Sequence, residues 1–324
     1  MFLRVSQLHA AGVLGINQRN AEFISRYNPR KFYPLVDDKL RTKELAMSAG
    51  IAVPQLFTTL RFPSEIQRFS ERIGDIQDFV IKPAHGSGGE GIMVITGRAK
   101  NSYRLIDGRL YSEEDIKHHL LNILSGMYSL GGHPDTVIIE YRVTFDPIFE
   151  PISYRGVPDI RLIVFLGVPV MSMIRLPTLA SAGRANLHQG AIGCGVNIAT
   201  GKTMSAVWGN SIIHEPPDTG AQVSNIQIPY WDAMLTLAAR SFELTQLGYQ
   251  GIDFVIDAER GPLVLEFNAR PGLNIQLANL SGLTPRLKLI EQNIRSLATL
   301  NDRVAFAKEH FARTNEQVRH DTAV

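Results

Sequence analysis

Apolar and polar positions alternate along much of the chain, and the period of that alternation separates strands from helices. FVIKP (79–83) and IMVIT (92–96) read as strands joined by AHGSGGEG. VIIEYRV (137–143) predicts a buried strand, and DIRLIVFLGVPVMSMIRL (159–176) predicts a hairpin turning at LGVP. AIGCGVNI and KTMSAVW add two candidate strands. A helix runs through DKLRTKELAMSAG, capped by Asp37 or Asp38 and ended by Gly50. Ser112 and Asp115 form a capping box for a helix reaching about Met127, and PYWDAMLTLAARSFELTQLG (229–248) is a helix with Pro at its start and Gly past its end. Residues 1–36 predict a helical arm carrying Arg19, Arg26, Arg30 and Lys31, and from about residue 303 the polar chain predicts a frayed helix or disordered tail. Strands, hairpins and helices in this mixed order predict an α+β protein.

The last hairpin, GIDFVIDAERGPLVLEFNARPG (251–272), breaks the rule that buried strands stay apolar. A two-residue turn at Glu259 and Arg260, closed by Gly261, sets Asp253 opposite Glu266. Ile252, Phe254 and Ile256 then meet Leu263, Leu265 and Phe267 on one face, while Asp253, Val255, Val264, Glu266 and Asn268 share the other. Two carboxylates so placed stand about 5 Å apart and repel by roughly 3 kcal/mol at an effective dielectric of about 20. Protonation, solvent or a cation relieves that repulsion. Hard oxygen ligands with an amide oxygen beside them suit Mg2+ or Mn2+, and the competing reading is a solvated outer face.

GSGGEG (86–91) fits the dinucleotide fingerprint letter for letter, but a β-type run follows it where that motif requires a helix. GKT (201–203) resembles the end of a Walker A loop, but the glycine spacing is wrong and no helix follows, so it reads as a turn. The first loop instead fits a hairpin whose glycine-rich tip folds over phosphates through backbone N–H groups. Lys82, on the strand entering that tip, calls for an anionic partner, unless it snorkels from a mobile surface hairpin.

Composition narrows the field. The 324 residues are 44% hydrophobic and 20% charged, enough for one large or two medium domains, and the net charge of +2 gives no case for a nucleic-acid partner. The single cysteine, Cys194, excludes an intrachain disulfide framework and a cysteine-rich zinc site, which favours a reducing compartment. Without a signal-type leader or an apolar run of membrane-spanning length, a cytoplasmic protein away from membranes is expected.

DK, VIKP with its glycine-rich loop, IIEY, DIR, RANLHQG, GIDF and LEFNARPG follow one another in an order that resembles the ATP-grasp superfamily, nearest to the RimK-type alpha-L-glutamate ligase-like proteins, over roughly residues 37–290. The resemblance implies two α+β subdomains clasping ATP. Residues 1–36 become a truncated N-terminal arm, 37–136 the first subdomain with the phosphate loop, 137–302 the second with the metal and substrate site, and 303–324 a tail. It implies that Lys39 and Lys82 contact phosphates under Gly86, Ser87, Gly88, Gly89 and Gly91. Glu140, Tyr141, Arg142 and Val143 become the hinge beside adenine, largely through backbone groups. Asp253, Glu266 and Asn268 become ligands of two Mg2+ (or Mn2+) ions, and Arg161, Arg175, Asn186 and Arg270 face the transferring phosphate or a carboxylate substrate. His188 reads as structural.

Two features depart from the pattern. Only 38 residues precede Lys39, so self-association or a partner protein is expected to complete the substrate surface. Thr144 stands where an acid for ribose is expected, which leaves Asp146 or Glu150 for that task. The activity implied is ATP-dependent joining of a carboxylate to an amine through an acylphosphate, with glutamate or a similar amino acid added to a peptide, protein or small molecule. A small-molecule kinase and a nucleotide-binding partner protein without turnover are the alternatives.

Overall fold

The computed structural model describes residues 5–86, 88–99, 102–129 and 131–312. Its first antiparallel sheet contains β1 (Leu56–Leu60), β2 (Phe79–Pro83), β3 (Met93–Ala99), β4 (Ser102–Leu105), β5 (Leu110–Ser112) and β6 (Val137–Glu140), in the order β1-β6-β2-β3-β4-β5. The second contains β7 (Asp159–Phe165), β8 (Val168–Leu176), β9 (Ile192–Val196), β10 (Thr203–Trp208), β11 (Ser211–Ile213), β12 (Tyr249–Asp257) and β13 (Gly261–Asn268), in the order β11-β10-β9-β8-β7-β12-β13. Each sheet covers its own core. Phe69, Phe79 and Tyr103 pack edge to face beneath the first, against Ile116, Leu120 and Ile123 of the helix Glu113–Leu124. The second packs on Met234, Leu235 and Ala238 of the helix Trp231–Thr245.

Local chemistry sets the element ends. Asp38, not Asp37, caps the helix Lys39–Ser48, accepting from the backbone N–H of Leu40 at 2.8 Å. The Ser112–Asp115 capping box is present, although its helix stops at Leu124, short of Met127. The β7–β8 turn uses Leu166 and Gly167, both with positive φ, as a two-residue hairpin requires. A Cβ on Gly167 would also lie 1.9 Å from the Arg303 guanidinium.

Three expectations are corrected. First, β6 pairs with β1 and β2 and so completes the first sheet, whereas a boundary at 136/137 would assign it to the second subdomain. Second, the turn holds three residues, Ala258, Glu259 and Arg260, so that Asp257 faces Gly261, Val255 faces Leu263 and Phe254 faces Val264, before a bulge returns the register to Asp253↔Glu266. The extra residue, Leu265, moves Val264 onto the core face and Leu263 off it. Third, the helix Leu300–His310 runs through position 303 with Phe306 and Ala307 buried, so the start of the expected tail is packed; residues 313–324 of that tail lie outside the described residues.

The N-terminal arm is bound into the second core. Phe23 meets Phe165 edge-on at 5.5 Å. The Asn28 amide pairs with both backbone groups of Tyr249, donating to its carbonyl at 2.6 Å and accepting from its N–H at 2.8 Å. Gly167→Ala should lower unfolding stability by about 1–3 kcal/mol, through the left-handed backbone and the crowding of Arg303. A urea unfolding midpoint equal to that of the parent chain would contradict this.

Candidate active site

Alternation along four neighbouring strands brings five charged side chains to one face of the second sheet. Arg175 on β8 stands opposite Asp159 on β7, Arg161 on β7 opposite Asp253 on β12, and Asp253 opposite Glu266 on β13. Arg161 donates Nε to Asp253 Oδ1 at 2.7 Å and Nη2 to Oδ2 at 2.5 Å. Arg175 donates Nη2 to the same Oδ2 at 2.7 Å and grips Asp159 through Nε and Nη2. Burial alone would raise the Asp253 carboxyl, but the two guanidiniums outweigh it and hold it well below the usual carboxylate range. Burial pushes the Asp159 carboxyl up, to about 7, against its pairing with Arg175.

This geometry gives Asp253, one of the three expected metal ligands, partners within the protein. Asp253 is 2% exposed and both its oxygens accept from arginine, so guanidinium groups relieve the paired carboxylates. Glu266, with 31% of its side chain exposed, lies 3.9 Å from Arg161 Nη2 and accepts from Asn268 Nδ2 at 2.9 Å. No group of three or more His, Cys, Asp or Glu suited to a metal occurs among the described residues. Glu266 and Asn268 are the oxygen donors that fit a hard cation, and Asp253 anchors Arg161 and Arg175.

The first sheet contributes cations. Lys39 opens its helix and donates Nζ to the Gly86 carbonyl. Burial pulls its ammonium below the ordinary range, and among neighbouring charges the Glu266 carboxylate opposes that shift most strongly. The helix that Lys39 opens packs against β13, the strand that carries Glu266. Lys82 Nζ lies 2.5 Å from Glu140 Oε1, and Lys43 Nζ lies 2.9 Å from Glu140 Oε2. The anionic partner inferred for Lys82 is thus in part internal. Glu140, expected as part of a hinge acting largely through its backbone, also contributes a buried carboxylate. Burial would raise that carboxyl, yet Lys82 and Lys43 together hold it below its ordinary range.

The glycine-rich loop is pinned at both ends. Asp135 accepts from the His85 backbone N–H at 3.0 Å and pairs with His85 Nδ1 at 2.7 Å. His119 Nε2 lies 3.0 Å from the Gly91 carbonyl, and a Cβ on Gly91 would meet the Tyr128 ring at 2.7 Å. Gly88 reaches the second lobe, where its carbonyl accepts from Gln189 Nε2 at 3.4 Å and the Asn186 amide lies nearby. Gly89 shares the left-handed backbone of this tip, and Ser87 lies outside the described residues.

Other expected residues are placed differently. Asp257, missed in the sequence, accepts from Tyr141 Oη at 3.1 Å and the Thr144 N–H at 3.0 Å, tying the hinge to the final hairpin. Val143 packs with Val255 and Leu263, and Arg142 pairs with Asp78. The Asp146 carboxylate caps the turn at Ile148, and Glu150 is exposed. Arg270 lies over the Tyr33 ring, 4.9 Å from its centroid, outside the Arg161–Arg175 cluster. Exposed His188 donates its backbone N–H to Asn186 Oδ1. Lys43 carried one legible signal, its position four residues after Lys39 on a predicted helix.

The sugar-transfer associated ATP-grasp family model matches residues 18–292, which take in both sheets and both charge clusters. The chain belongs to this family. Its two antiparallel sheets with flanking helices form the ATP-grasp fold. A search of curated proteins gave no match. Similar solved structures include the ATP-grasp ligase PsnB complexed with minimal precursor, Mg and ADP, at 17% identity, covering 83% of this chain and 62% of that one, TM-score 0.46. They also include the D-cycloserine synthetase DcsG at 17% identity, covering 86% and 80%, TM-score 0.42. Rhizobium etli pyruvate carboxylase matches at 17% identity, covering 86% and 20%, TM-score 0.48. This ATP-grasp chain thus spans less than two thirds of the PsnB chain. Among the described residues, no helix is long and apolar enough to cross a membrane.

Because Asp253 neutralises two buried arginines of the ATP-grasp second sheet, Asp253→Ala should cost about 3–5 kcal/mol of stability. Glu266→Gln, at the half-exposed edge, should cost under about 0.5 kcal/mol. Chemical denaturation checks both, and equal losses would contradict the division of roles.

Proposed function

We propose that this ATP-grasp chain is an ATP-dependent, ADP-forming carboxylate–amine ligase. The observation carrying the reading is that the helix opened by Lys39, whose ammonium donates to the Gly86 carbonyl of the glycine-rich loop, packs against β13, the strand that carries Glu266 and Asn268. A nucleotide polyphosphate is the ligand whose charge suits both walls, with lysines on one side and cation-holding oxygens on the other.

Lys39 and Lys82 take phosphate oxygens while the Gly86–Gly91 backbone covers them. Glu266 and Asn268 would hold Mg2+, which when bound neutralises phosphate charge. Hydrogen bonds to Asp253 and Asp159 use Nε and Nη2 of Arg161 and Arg175, leaving Nη1 of each for an anionic reactant. A substrate carboxylate oxygen attacks the γ-phosphorus of ATP and ADP leaves. An amine then attacks the acylphosphate carbonyl, phosphate leaves, and the new amide nitrogen loses its proton. The chain supplies position and charge for both steps. In the finer reading, glutamate or a similar amino acid is joined to a peptide, protein or small molecule, as in RimK-type ligases, and a second copy or partner protein completes the substrate surface. The sugar-transfer association of the family adds sugar-linked amines to the acceptors worth testing.

Glu266→Gln should reduce Mg-dependent ADP release by about 100-fold or more while leaving the fold intact. Lys82→Ala should weaken ATP binding measured by calorimetry. Full activity in the first variant or parental affinity in the second would contradict the assignment. Incubation with Mg-ATP and pools of amino acids, peptides and amino sugars, followed by mass spectrometry, should give a condensation product. An ADP-forming reaction that yields a phosphorylated product and needs no amine would replace the ligase reading with a kinase.

A further inference from the structure

Beneath the candidate phosphate site lies more positive charge than one carboxylate can balance. Lys43, Lys82 and Glu140 are all buried, and the Glu140 carboxylate divides its oxygens between two ammonium groups. A single Lys82–Glu140 pair would be neutral and self-sufficient. Adding a second buried lysine leaves one net positive charge in a region where an uncompensated ion opposes folding. That charge is available to a group outside the trio.

The geometry separates the two lysines. Lys43 stands one helical turn beyond Lys39, with Nζ on Glu140 Oε2 and on the Pro54 carbonyl, so it points into protein. Lys82 sits on β2, the strand that leads into the glycine-rich loop, and takes Oε1. Lys39 stands beside the same strand end, its backbone N–H donating to the Ala84 carbonyl two residues beyond Lys82 at 3.2 Å. The surplus is therefore shared with the ammonium groups nearest the loop.

We propose that Lys43 is a positioning residue for nucleotide binding. By occupying one oxygen of Glu140 it keeps that carboxylate from neutralising Lys82, and so leaves Lys82 charged toward a polyphosphate. This rests on the reading of Lys82 as a phosphate contact. Without Lys43, Glu140 turns wholly to Lys82 and the cluster becomes neutral. Removing the Glu140 charge as well returns the cluster to one positive charge, now on Lys82 alone.

The test is calorimetric titration of the full chain with MgADP, with thermal unfolding of each variant alongside. Lys43→Met should bind about tenfold more weakly than the parent chain, the scale of one screened charge interaction. The double variant Lys43→Met with Glu140→Gln should recover affinity to within about threefold of the parent chain, since it restores the charge balance. Rescue of binding separates this role from a merely structural one, which would move the unfolding temperature and leave affinity uncorrected. Parental affinity in Lys43→Met overturns the proposal. So does a folded double variant that binds weakly, and this second comparison stands even if Lys43→Met fails to fold. If the parent chain does not bind MgADP, or Lys82→Met binds it as tightly as the parent, the phosphate reading itself fails.

Discussion

A carboxylate buried on the face of a seven-stranded sheet cannot stand alone, and Asp253, one strand in from the edge, does not. Three hydrogen bonds from Arg161 and Arg175 reach it from two neighbouring strands, and Arg175 extends the chain of charge to Asp159. These links cross β8, β7 and β12 and fix the face on which Glu266 and Asn268 emerge from β13. The two guanidiniums meet three carboxyl groups, of which Glu266 is the one nearest solvent. This face is thus shaped by ion pairing deeper in the same sheet.

The facing wall has the opposite balance. Lys43 and Lys82 share the carboxylate of Glu140, Lys39 donates to the Gly86 carbonyl, and the glycine-rich loop above them is held by Asp135 and His119 through backbone groups. Each wall stores charge that folding alone would avoid. Together they favour a ligand that is anionic toward the lysines and carries a cation toward Glu266 and Asn268. The hinge that joins them, residues 141–144, is tied to the final hairpin by Asp257. Rotation of one lobe against the other is thereby constrained where the walls meet.

Much of this was legible in the chain because period-two alternation and turn chemistry are local. The final hairpin, the Ser112 cap and the glycine-rich tip followed from neighbours in sequence, whereas the turn holds one residue more than expected and the bulge at Leu265 restores the Asp253–Glu266 opposition. What escaped depends on contacts between distant segments. Arg161 precedes Asp253 by 92 positions, so no local pattern showed that β7 lies beside β12 and offers it a guanidinium. The bulge at Leu265, which exchanges the faces of Leu263 and Val264, has no signature in a run of alternating apolar residues. Glu140 looked like hinge backbone because its partners, Lys43 and Lys82, arrive from a helix and another strand.

The most direct measurement is a crystal structure of the chain with magnesium and a nonhydrolysable ATP analogue. The account predicts a triphosphate between Lys39, Lys82 and the 86–91 loop on one side and Glu266 with Asn268 on the other, with metal density touching Glu266. A nucleotide bound elsewhere, or metal density remote from Glu266, would contradict it.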